Sequence, residues 1–164
     1  EKRTYLEISL KLSEEVIKNQ STNGKAYFIA ALATSQIIEF VNVFQKLILL
    51  QQFDKYMGKA LENLQDDLYI GLANMGLGMR YMAPPWPLND YAKSEMCFKE
   101  AQKYIGNYSG LYLNWGYLYL KMNNRTKALE TFRKVLTLEP NELFLKAHER
   151  NSAIAREEIK KLEK

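Results

Sequence analysis

At 164 residues and 47% hydrophobic content, the chain has material for one domain of ordinary size, burying roughly two-thirds of the surface it exposes when unfolded. Charged residues make up 26%, with 23 Lys+Arg against 19 Asp+Glu, and the formal charge of +4 is spread along the chain, which argues against intrinsic disorder. A single cysteine, Cys97, and a single histidine, His148, exclude a disulfide scaffold and a His/Cys zinc module, while 4 Pro and 8 Gly favour helix over a turn-rich sheet.

The first predicted helix runs from Tyr5 to Ile17, with Leu6, Leu10, Leu12, Val16 and Ile17 on one side and Glu7, Lys11, Glu14, Glu15 and Lys18 opposite. It ends in Asn19-Gln-Ser-Thr-Asn-Gly24, whose side chains compete for backbone hydrogen bonds. Helical patterns follow over Lys25 to Phe40 and Val41 to Gln65, with no Gly or Pro before Gly58 to mark the boundary. Asp66 and Asp67 suit the start of a helix over Leu68 to Met82. Its glycines Gly71, Gly76 and Gly78 predict another backbone close by, because each costs roughly 1 kcal/mol against Ala. Three prolines break helix over Ala83 to Asn89. Helices are then predicted from Asn89 or Asp90 to Tyr104, from Ser109 to Met122, from Thr126 to Leu138 and from Glu142 to Lys164.

Three of these helices open alike. Tyr27-Phe-Ile-Ala-Ala-Leu-Ala, Tyr69-Ile-Gly-Leu-Ala-Asn-Met-Gly and Tyr112-Leu-Asn-Trp-Gly-Tyr-Leu-Tyr begin 42 and 43 residues apart, which marks a repeat array. In the last unit Tyr112, Trp115, Gly116, Tyr119, Ala128, Phe132 and Pro140 fall at the spacings of the tetratricopeptide pattern, and the span from Ser109 to Glu142 resembles that family. Ser94, Phe98 and Ala101 repeat the second-helix spacing, while two units exceed the family's period of about 34 residues by about eight or nine. HEAT and armadillo arrays share the longer period but lack the signature. The resemblance implies an all-α fold of antiparallel helix pairs stacked as a right-handed superhelix, about three and a half repeats in a single domain over 1–164. Its units are approximately 1–23 (partial), 24–65, 66–108 and 109–142, with a charged capping helix over 143–164.

No catalytic set assembles. Gly76-Leu-Gly-Met-Arg-Tyr81 lacks the third glycine and the preceding strand of a dinucleotide loop. Adjacent Asp66 and Asp67 do not face one another on a helix, His148 reads as a solvated surface residue, and Cys97 reads as a small helix residue. No cofactor and no metal is expected, so the chain reads as non-enzymatic. Bases alternate with acids along the helices, which disfavours nucleic acid as partner despite a pI near 9.0. The most apolar stretch, Ile37 to Leu50, is too short and too interrupted to span a bilayer, but its apolar surplus favours self-association. No basic segment followed by a long apolar run opens the chain at Glu1, which constrains localisation weakly, with a cytoplasmic setting favoured over a periplasmic one after removal of a leader.

The resemblance implies a protein or peptide partner held on the inner surface of the first helices, at Phe28, Leu32, Ile70, Asn74, Leu113 and Tyr117, which form a mostly apolar groove. Leu113 and Tyr117 stand where the chaperone-binding subfamily of tetratricopeptide proteins has its carboxylate clamp, so that clamp is absent. Burial of these residues against neighbouring helices is the alternative reading. Trp86, in the loop over Ala83 to Asn89, is expected either to pack against Tyr81 and Tyr91 or to anchor the partner. A resemblance to the helical-repeat lipoproteins of periplasmic transporters, which bind apolar ligands or a partner protein, is the other functional reading.

Overall fold

The structure, a computed structural model, describes residues 1–85 and 87–164. Among the described residues it is all-helical: α1 (Lys2–Asn19), α2 (Gly24–Ile37), α3 (Val43–Asn63), α4 (Asp67–Met82), α5 (Tyr91–Ile105), α6 (Ser109–Lys121), α7 (Arg125–Leu136) and α8 (Leu145–Leu162). Short 3-10 turns over Ile38–Phe40 and Glu142–Phe144 precede α3 and α8. The packing divides the chain into two compact units, Glu1–Ala73 and Asn74–Lys164, and the division falls inside α4 rather than in the proline-rich loop.

In the first unit α1 packs on α2 and α2 on α3, as consecutive helix pairs of a repeat protein do. The Asn23 side chain accepts the Ala26 N–H at 3.0 Å and starts α2. A side chain at position 24 would meet the Asn63 and Leu64 backbone at 2.7 Å, so Gly24 is what lets the start of α2 approach the end of α3. The core between the helices combines Ala30, Ala31, Phe53, Met57 and Ala60, all buried. The break between α2 and α3 is a capping box: Asn42 Oδ1 accepts from Gln45 N at 3.0 Å, and Gln45 Oε1 accepts from Asn42 N at 3.3 Å. Asp66 Oδ1 likewise accepts from Leu68 N at 3.1 Å where α4 begins.

In the second unit the Asp90 N–H donates to the Tyr81 carbonyl at 2.8 Å, tying together the ends of the loop. The Asp90 side chain then caps α5 through Lys93 N at 2.9 Å. The buried Ser94 hydroxyl donates to the Gly78 carbonyl at 2.7 Å, and a Cβ on Gly78 would stand 2.6 Å from the Phe98 ring. At Gly78, then, the close neighbour is an aromatic ring rather than the backbone expected from sequence. Phe132 enters the space beside Gly116 in the same way. Both phenylalanines are fully buried, and each contributes about 2–3 kcal/mol of hydrophobic transfer.

Trp115 stacks between Tyr112 and Tyr119 with ring centroids 6.4 and 6.3 Å away, and it tilts against Phe98 at 6.0 Å. Asn123 turns the chain out of α6 with a left-handed φ of 55°, which asparagine tolerates, and Asn124 caps α7 through Lys127 N at 3.1 Å. Helix α8 packs against both α6 and α7, and the buried Asn151 amide donates to Ser109 Oγ at 3.1 Å.

Candidate functional site

The six expected groove positions fall three in each unit. In the first, Phe28 is buried, with Tyr69 set edge-on against it at 5.5 Å and 89°. Lys25 holds Tyr69 in place: its ammonium lies 4.4 Å over that ring and 3.2 Å from Asp66 Oδ2. The same hydrogen bond from Lys25 keeps the Asp66 carboxyl below the usual carboxylate range. One turn along α2, Leu32 is 38% exposed, and Ile70 is half-buried.

In the second unit Asn74 and Leu113 are buried. Tyr117 is half-buried, its ring edge-on to Phe132 at 5.4 Å and 74°. Burial pushes its phenol up, and the nearby Glu158 of α8 pushes it further. Phe28, Asn74 and Leu113 are thus closed to solvent, and Leu32 is the most exposed of the six. Trp86 lies outside the described residues.

An open apolar surface lies elsewhere in the first unit. Tyr5, Ile8, Leu12 and Val16 of α1 recur every three or four residues and form a groove of about 530 Å³ with Ala26 and Ile29 of α2. The sequence reading treated α1 as one-sided. The structure gives it two apolar faces: Leu6, Leu10 and Ile17 are half-buried, whereas Tyr5, Ile8, Leu12 and Val16 are between 40% and 65% exposed. The spacing of residues 5, 8, 12 and 16 was the available signal, and the neighbouring stripe masked it.

Burial pushes the half-buried Cys97 thiol up, opposite to what a nucleophile requires. His148 is half-buried rather than solvated, with its Nε2 3.3 Å from the Ser152 hydroxyl oxygen, because α8 turns that face inward. Glu95 accepts the Tyr119 hydroxyl at 2.9 Å and pairs with Lys99 at 3.2 Å. Burial would raise the Glu95 pKa, but these two partners more than offset it and leave the carboxyl below its usual range. For Tyr119, burial first and then Glu95 push the phenol up to about 12. Among the described residues no group of three His, Cys, Asp or Glu side chains is arranged to hold a metal ion, and no helix is long and apolar enough to cross a membrane.

No curated protein matches the chain. Residues 109–142 match the family model of the tetratricopeptide repeat. That span covers α6 and α7, with Phe132 set against Gly116 and Pro140 beyond the end of α7. The segment 109–142 is similar to a tetratricopeptide repeat, and the packing of helix pairs around it is consistent with repeats of that kind.

Proposed function

We propose that the chain is a non-enzymatic interaction scaffold that binds an apolar peptide or helix of a protein partner. The observation that carries this reading is the tetratricopeptide match over 109–142, a repeat type that points to protein–protein interaction. The side chains available for contact on the first helices are Leu32 in the first unit and Tyr117 in the second, with Ile70 half-buried. Phe28 and Leu113 are buried, and Asn74 is a buried polar residue of α4.

An apolar contact of this kind is held by desolvation more than by charge, so its affinity depends weakly on salt. Selection of displayed peptides on the intact chain tests the reading. Enrichment of peptides with apolar residues at helical or alternating spacing supports it. Enrichment confined to acidic peptides, or none at all, contradicts it.

A further inference from the structure

We propose that the chain self-associates through its first unit, with the amino-terminal half of α3 in one copy seated in the α1–α2 groove of a second copy, and reciprocally.

Two unpartnered apolar surfaces of the same unit motivate this. The first is a helix face. Val43, Phe44, Leu47 and Ile48 lie at positions that share one side of α3, and they are between 42% and 77% exposed. Lys46 is the one charged residue between Val43 and Phe53, so this face has little to keep it in water. The second is the groove. Tyr5, Ile8, Leu12 and Val16 of α1 and Ile29 of α2 line it, together with the small side chains of Ser9, Ser13 and Ala26. Lys25 is its one charged lining residue, and Lys25 is already paired with Asp66, so nothing in the groove calls for a charged ligand.

Shape favours a helix as the occupant. In the second unit α6, α7 and α8 each pack on the other two, so the chain itself covers a helix pair with a third helix. The apolar half-turn pattern of α3 supplies such a helix.

Area favours a second copy. The nine side chains named on the two surfaces each present on the order of 100 Å² to water, or roughly 900 Å² per protomer when both seats are filled, against about 800 Å² per partner in a standard interface. A single seat falls short of that size. Reciprocal seating about a two-fold axis closes the assembly at a dimer.

Analytical ultracentrifugation of the full chain over a concentration series tests the proposal, with Phe44→Lys on the helix face and Leu12→Glu in the groove. Both positions are exposed, and helicity and melting equal to those of the wild type at concentrations low enough for the wild type to be monomeric verify that each variant folds. The wild type is expected at twice 19.1 kDa at high micromolar concentration, and each variant alone at 19.1 kDa. Mixing the two variants restores association, weaker than in the wild type, because one seat joins the intact α3 face of Leu12→Glu to the intact groove of Phe44→Lys, and in the other seat the introduced lysine and glutamate carry opposite charges. A monomeric wild type overturns the proposal, as does a Leu12→Glu variant that stays dimeric, which would place the contact between two α3 faces. A Phe44→Lys variant that stays dimeric, or a mixture that stays monomeric, overturns it as well.

Discussion

The Phe132 ring occupies the space that a side chain at position 116 would need, so α6 and α7 approach only because residue 116 is glycine. Alanine in a helix normally gains about 1 kcal/mol over glycine. Here the ring is fully buried and cannot swing into solvent, and overpacking costs typically 1–3 kcal/mol. Gly116→Ala is therefore expected to be destabilising by up to about 2 kcal/mol in urea unfolding. Phe132→Leu in the same chain should recover part of the loss. A Gly116→Ala chain more stable than wild type would contradict this packing.

The Tyr119–Glu95 hydrogen bond has a signature in pH. Tyr119 holds its proton more tightly when folded, so the stability it contributes is complete below its ordinary value near 10 and is lost as pH rises towards about 12. Glu95 is shifted down, so its contribution is present above the unfolded carboxylate range and disappears as pH falls through the lowered value. Tyr119→Phe should cost about 1–2 kcal/mol at neutral pH. It should also raise the Glu95 pKa, read by carboxyl NMR titration. An unmoved Glu95 titration would show that the hydroxyl does not hold the carboxylate.

Asn42 sets where α3 begins, through its reciprocal bonds with Gln45. Asn42→Ala is expected to cost about 1 kcal/mol. Amide exchange should quicken in the first turn of α3 and stay unchanged in α6 and α7. Uniform acceleration across the chain would mean that the cap acts on global stability alone.

Much of the fold could be read from particular residues. Asp66 and Asp90 announced helix starts, and the Trp115, Gly116 and Phe132 spacing announced the α6–α7 pair. The boundary between α2 and α3 was left unmarked because only Gly and Pro were sought as punctuation, although Asn42 and Gln45 stand at capping-box spacing. The glycines of α4 were read as admitting backbone. A one-dimensional pattern shows that space is needed at Gly78 but not that a ring fills it.

Candidate site residues were harder to read, because exposure depends on what packs over a helix. Phe28 and Leu32 lie one turn apart on α2, and Tyr69 is set against Phe28 while Leu32 stays open to solvent. At Tyr117, Phe132 sits against the ring from one side, and Glu158 of α8 is close enough to shift the phenol.

The most direct measurement of the interaction reading is the affinity of a selected apolar peptide for wild type, Leu32→Lys and Tyr117→Lys, by fluorescence anisotropy at low and high salt. The account predicts wild-type affinity that changes by less than about threefold with salt, and at least a roughly tenfold loss, on the order of 1.4 kcal/mol, in one or both variants at unchanged melting temperature. Affinity that both substitutions leave intact, or that collapses with salt in the wild type, would contradict an apolar contact through these residues.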